Sequence, residues 1–297
     1  MTTLGTSLAE RIAALGAEGT PFVHATVVRA QPPTPARPGD EALILADGTM
    51  EGFVGGQCAE ESVRTAALDV LADGEPLLLR ILPDGDPGYP PAFGSRSVVN
   101  PCLSGGALEI FLEPRLPPRR VVVVGETPLS SAVASLLRQL GYRADQAPVL
   151  AAGAAAGATA VVVASCGHDE PEAIRAALDA GVGLVGLVAS RRRGEAVVDA
   201  MGLGAEERSR VRTPVGLDIG ARTASEVAVS IAAELVRAVR TEGLRPPVGD
   251  VAQPAPVQAV DPVCGMSVVV GPQTPHRVVE GTDVWFCSTG CRDRYAA

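Results

Sequence analysis

RVVVVGETPLSSAVASLLRQLG (residues 120–141) runs from four consecutive valines through a glycine turn into a segment with apolar residues at helical spacing. The pattern recurs twice. AVVVAS (160–165) precedes EPEAIRAALDAG (170–181), and GLVGLVAS (183–190) precedes GEAVVDAMG (194–202). Short, fully apolar strands alternating with amphipathic helices predict a parallel sheet covered on both faces. A last helix from Thr223 to Arg240 would close this Rossmann-like unit.

Upstream, prolines in Glu113-Pro114-Arg115-Leu116-Pro117-Pro118 interrupt two β-rich runs and mark a seam. Before it lie strand-like segments at Phe22 to Ala30, Glu41 to Ala46, Leu77 to Leu82 and Ala107 to Leu112. They surround one clear helix, Ala59 to Ala72, with Val63, Ala66, Ala67, Val70 and Leu71 as its apolar stripe. Residues 246–260 form a Pro/Ala/Val stretch without periodicity, read as a semi-extended linker. The expected organisation is α/β. An N-terminal α+β domain (1–115) is followed by a Rossmann-like parallel-sheet domain (116–245), the linker (246–260) and a small ββα metal-binding-type tail (261–297).

Composition narrows the function. The net charge of -9 argues against a nucleic-acid-binding surface. All 25 basic residues are arginine, which excludes a Schiff-base lysine and a phosphate loop of the Walker type. The opening residues lack a basic n-region and an apolar block, and read as an amphipathic helix with Leu4, Leu8, Ile12 and Leu15 on one face. No apolar run reaches the roughly 18 residues of a membrane span. Six cysteines without an export signal point to reduced thiols, so the expected location is cytoplasmic.

Three of those cysteines, Cys264, Cys287 and Cys291, fall in the tail with C-x22-C-x3-C spacing. A turn with one thiol, a hairpin, then a helix start with two more is how small zinc modules are built. His276, water, a carboxylate or a partner thiol could complete the shell, and a module that keeps only the fold stays open. DPVCGM (261–266) and WFCSTGC (285–291) resemble the YHS domain, which implies a bound zinc or other transition metal ion. So short a segment has too little core to fold alone, so metal would order it, and the linker would let it fold apart from residues 1–245.

Two glycine loops carry further thiols. GFVGGQCAE (52–60) opens the first-domain helix, where unsatisfied N–H groups favour a thiolate. Asn100-Pro101-Cys102-Leu103-Ser104-Gly105-Gly106 leads into a strand. The two cysteines either face one cleft or are small buried residues in tight turns. In the second domain, Ser190-Arg191-Arg192-Arg193 follows an apolar strand at the end where open α/β sheets bind ligands, and arginine forks there suit a phosphate. Gly125-Glu126-Thr127-Pro128-Leu129-Ser130 departs from G-x-G-x-x-G, which argues against NAD(P) in the usual mode.

GFVGGQCAE, PCLSGGALEIFLEP, GLVASRRR and TPVGLDIGARTASEVAVSIAAEL resemble the XdhC/CoxI family over residues 1–240. The resemblance implies a maturation factor that binds molybdenum cofactor (molybdopterin) as cargo. Such a factor assists the cofactor's sulfuration and delivers it to a molybdenum hydroxylase of the xanthine or carbon monoxide dehydrogenase type. It implies a chaperone more than a catalyst, with cofactor-site residues Gly55, Gly56, Cys58, Glu60, Cys102, Ser190, Arg191, Arg192 and Asp218. A cysteine desulfurase and a second copy of the chain are further implied partners. The family loop often has a third glycine where this chain has Gln57. Alternatives from other classes are an NAD(P)-dependent oxidoreductase and a metal sensor or metallochaperone acting through the tail.

Overall fold

A computed structural model describes residues 7–83, 92–100, 106–246, 257–272, 274–279 and 281–295. Cys102 lies outside them. The chain divides into two compact units, one of residues 1–117 with 253–297 and the other of residues 118–252. Among the described residues, no helix is long and apolar enough to cross a membrane.

In the first unit the elements are α1 (Leu8–Glu18), β1 (Phe22–Gln31), β2 (Glu41–Leu45), β3 (Met50–Gly52), α2 (Gln57–Asp73), β4 (Leu77–Pro83), β5 (Ser95–Asn100) and β6 (Ala107–Arg115). The strands form one sheet ordered β3-β2-β1-β6-β4-β5. All neighbours are antiparallel except β4 and β5. Alternation along β1 sends Val23, Ala25 and Val27 into a core with Val63, Ala66, Ala67 and Val70 of α2, while Phe22 packs with Leu15 of α1 and Leu43. Ser7 and Glu10 form a capping box that starts α1, and Gly19 in the left-handed region ends it.

The second unit holds β7 (Arg120–Val124), α3 (Pro128–Gln139), β8 (Arg143–Ala147), β9 (Ala160–Val163), α4 (Glu170–Asp179), β10 (Leu184–Leu187), α5 (Arg191–Ala200), α6 (Ala205–Arg210), β11 (Val211–Arg212) and α7 (Ala224–Thr241). Its five-stranded sheet is parallel throughout, in the order β11-β10-β9-β7-β8. Val122 and Val124 point to the face covered by α4 and α5, and Val121 and Val123 to the face covered by α3 and α7. This is the doubly wound arrangement expected from the valine runs, with its topological switch between β7 and β9.

The tail differs from the ββα expectation. It contains β12 (Gln258–Val260) paired with β13 (Ser267–Val269), then β14 (His276–Val279) paired with β15 (Thr282–Trp285), then α8 (Thr289–Arg294). Residues 258–260, expected in the linker, form the first strand. The tail is also not separate from residues 1–245, because it packs on α2 within the first unit. The reason lies in α2 itself, which buries two faces. Ala59, Val63, Ala66, Ala67 and Val70 meet the sheet. Cys58 and Glu61 meet the tail.

Candidate functional site

The glycine loop before α2 is built for close approach at one position. Gly55 has φ 149, and a Cβ there would stand 3.0 Å from the Ala59 Cβ and 3.2 Å from Leu108 Cδ1, so only glycine fits. Gly56 has open space around it and serves as the extended N-cap of α2, with no side-chain cap. The N–H groups of the first turn therefore point past Cys58, the second helical residue, which is buried. Ser62 Oγ donates to the Cys58 carbonyl at 3.1 Å and adds to this turn. Burial pushes the half-buried Glu60 carboxyl up, against the opposing charge of Arg64.

The face of α2 that bears Cys58 is covered by the tail. Val268, Cys58 and Cys287 are buried in one cluster, with Ala259, Cys264, Met266, Trp285 and Cys291 packed around them. The backbone N–H of Val269 donates to the buried Glu61 carboxylate, which also accepts from Arg64 at 2.9 Å. Thr65 Oγ1 lies 3.5 Å from the Ser267 carbonyl, and Gln57 Oε1 lies 3.5 Å from the Thr289 N–H, both at the outer limit of hydrogen bonding. Gln57, which replaces a frequent glycine of the family loop, thus meets the first turn of α8.

Within the tail, Cys287 Sγ stands 3.5 Å from Cys264 Sγ and 3.6 Å from Cys291 Sγ. Together with Asp261 these groups offer ligand atoms all within 4.8 Å of one another. A tetrahedral thiolate site with zinc–sulfur bonds of 2.3 Å has edges of about 3.8 Å, so the thiol spacing fits such an ion. His276 is not in this group. It is exposed and stacks on Trp285 at a centroid separation of 4.8 Å.

Asp261 organises the cluster. Its Oδ1 accepts from the Val263 N–H at 2.8 Å and the Cys264 N–H at 3.4 Å, and its Oδ2 accepts from the Cys287 N–H at 2.8 Å. One fully buried carboxylate thereby ties both thiol-bearing turns together. Burial works against its ionisation, but the N–H bonds from Cys287 and Val263 outweigh it and hold the carboxyl below its ordinary value. Burial pushes the Cys264 thiol up to about 12.

Glu61 escaped the sequence reading because a carboxylate beside Glu60 in a first helical turn looks like an exposed, dipole-favoured acid. Its signal is positional, since 61 falls on the turn-mate of 58 and 65. Burial pushes its carboxyl up, with the Val269 N–H and Arg64 opposing. A carboxyl raised on folding favours the fold while protonated. That contribution is complete below about 4.3 and is lost as pH rises through the raised value. Glu61→Gln is therefore expected to reduce the fall in melting temperature of the first unit as pH rises above the ordinary glutamate range. Fluorescence of Trp285, the sole tryptophan and a tail residue, follows that melt. A slope equal to that of the unsubstituted chain would remove Glu61 as its source.

In the second unit, Ser190 is the N-cap of α5, and Arg191 and Arg192 are exposed on its first turn at the carboxyl end of β10. Their neighbour Arg193 instead turns inward and pairs with the buried Glu170. Asp218 is exposed, with its Oδ1 3.4 Å from the Gly220 N–H. At the β7–α3 turn the usual anion donors are already engaged. Thr127 Oγ1 accepts from the Ser130 N–H at 3.0 Å, and Ser130 Oγ, fully buried, accepts from the Thr127 N–H at 2.8 Å. Gly125 there has φ 127, and a Cβ would come 2.5 Å from the Ala164 carbonyl oxygen, so the loops after β7 and β9 touch at the switch. Asp145 sits within β8 and pairs with Arg120 at 2.7 Å, away from a ribose-binding position.

With these two domains described, comparison with known proteins gives their class. A family described as "XdhC and CoxI family" matches residues 15–81, and one described as "XdhC Rossmann domain" matches residues 121–235. The chain belongs to the XdhC/CoxI family through these two domains. A curated relative, "Uncharacterized protein YqeB" of Escherichia coli (strain K12), is 27% identical over 252 residues, covering 76% of this chain and 45% of that protein. The chain thus spans less than half the length of that relative. A solved structure described as a xanthine dehydrogenase from Bacillus halodurans aligns over 84% of this chain and 98% of that one. Its sequence identity is 14% and its TM-score 0.40, a likeness that carries no argument.

Proposed function

We propose that the chain is an accessory protein for a molybdenum hydroxylase of the xanthine or carbon monoxide dehydrogenase type. It holds molybdenum cofactor, assists its sulfuration and delivers it to the target enzyme. The observation that carries this reading is the family-matched glycine loop, which sets Cys58 in an uncapped helical turn beneath the tail. A thiolate in that position is a soft-metal ligand and a sulfur acceptor. Glu60 beside it has a carboxyl raised by burial and suits a proton-holding role. Within the second unit taken by itself, Arg191 and Arg192 offer cationic forks that suit a phosphate. Cys102 would supply a second thiol. A cysteine desulfurase is the matching source of sulfur.

The filled turn at Thr127 and Ser130 speaks against the oxidoreductase reading, since a pyrophosphate would need donors already in use. The tail is proposed as a YHS-type module for a zinc-class ion. The test is purification of the full chain from molybdenum-replete cells, followed by oxidation of any bound pterin to its fluorescent product. Retention of pterin is expected, with a clear loss in the Arg191→Ala/Arg192→Ala double variant at low salt that narrows as salt screens the contacts. A chain that carries no pterin, together with a target enzyme fully active without it, would end this reading.

A further inference from the structure

We propose that Cys58 of α2 is the fourth sulfur ligand of the tail's metal site, so that one zinc-class ion joins Cys58, Cys264, Cys287 and Cys291. The tail alone supplies three thiols. Cys287 is their centre, 3.5 Å and 3.6 Å from the other two sulfurs, and the buried Cys58 side chain packs in the same cluster as Cys287. All four thiols belong to one packed cluster with Val268 at its base. The alternative fourth ligand, Asp261, has an oxygen within 4.8 Å of the three tail thiols, but three N–H groups of the thiol-bearing turns already occupy three of a carboxylate's roughly four acceptor sites. It is a positioning residue that holds the ligand turns, in the way outer-shell carboxylates orient ligands elsewhere.

The seating of Cys58 is enforced from both sides. Glu61, three residues past Cys58 on the same helix, is bonded to the Val269 N–H, which fixes α2 against β13. Gln57 meets the start of α8 two residues before Cys291. The first-turn N–H groups of the 17-residue helix α2 offset the negative charge that four thiolates place around a divalent ion. On binding, the four thiols release their protons to solvent and form four metal–sulfur bonds, with no change of oxidation state. An ion held this way fastens the tail to α2, and Cys58 takes cofactor or sulfur only once the ion has left. The assignment does not depend on the cofactor reading.

The test is X-ray absorption fine structure at the zinc edge on the full chain, purified with zinc under reducing conditions. Four sulfur neighbours at about 2.3 Å are expected. In Cys58→Ser the count should fall to three sulfurs and one lighter atom. Competition with a chromogenic chelator should show zinc affinity weakened by more than the roughly 10- to 100-fold that follows loss of an outer-shell partner. Three sulfurs with one oxygen or nitrogen in the unsubstituted chain would overturn the proposal, as would failure to retain one zinc per chain. The unsubstituted chain decides the matter even if the variant does not fold, and neither readout responds to bound pterin.

Discussion

Ending the chain after Leu244 is expected to expose Cys58 and to raise its alkylation by iodoacetamide at least about tenfold, because a thiol in a helix first turn is reactive once accessible. In the whole chain the sulfur is buried under Val268, Cys287 and Trp285. The truncated chain should also melt earlier. Val268 and Val269 are buried to 0% and 3% exposure, and loss of their burial removes on the order of 2–4 kcal/mol. For a unit of this size that lowers the melting temperature by roughly 5–15 °C. The parallel-sheet unit retains Leu244 against Gly183 and should keep its own transition. Peptide mapping by mass spectrometry reads the labelling. An alkylation rate at Cys58 equal to that of the whole chain would mean that the tail does not cover it.

Asp261→Ala is expected to undo the tail without touching a thiol. It strands the N–H of the buried Cys287, worth roughly 1–3 kcal/mol when unsatisfied, and removes the acceptor of the Val263 N–H, which solvent can replace. A loss of roughly 1–3 kcal/mol is a sizeable fraction of the stability of a folded domain and falls on the tail's two thiol-bearing turns. Trp285 emission should shift to the red and lose its cooperative melt, while far-ultraviolet dichroism from the two larger sheets stays. Asp261→Asn keeps one acceptor oxygen and should fall between. A tail as stable in Asp261→Ala as in the unsubstituted chain would refute the structural role of this carboxylate.

How much of this was legible in the sequence depended on whether burial left a period. The runs Val121–Val124 and Ala160–Val163 are buried on both sides, so their unbroken apolar character revealed a covered parallel sheet. Edge strand β8, RADQA, carries Arg120-paired Asp145 and an exposed Gln146, and no apolar run announced it. The helix α2 was visible through its Val63–Val70 stripe. Its second face was not, because Glu61 and Ser62 are polar and are buried by residues about 200 positions away. The linker reading failed at Gln258–Val260 for a related reason, since a three-residue strand has too few positions to express alternation. Of the site residues, Gly55 and Cys58 stand where a glycine turn and a helix start require them. The convergence of Cys58 with the tail thiols is a tertiary fact that spacing does not encode.

The bond between Val269 and Glu61 spans 208 residues. At synthesis rates of about 5–20 residues per second, α2 emerges roughly 10–40 s before the strand that covers it. Throughout that interval the nascent first domain presents Cys58, Glu61 and the uncapped turn at Gly56 to the surrounding solution. Two stages of one polypeptide's life therefore differ in what they expose. The growing chain offers an open thiol, and the completed chain offers a covered one.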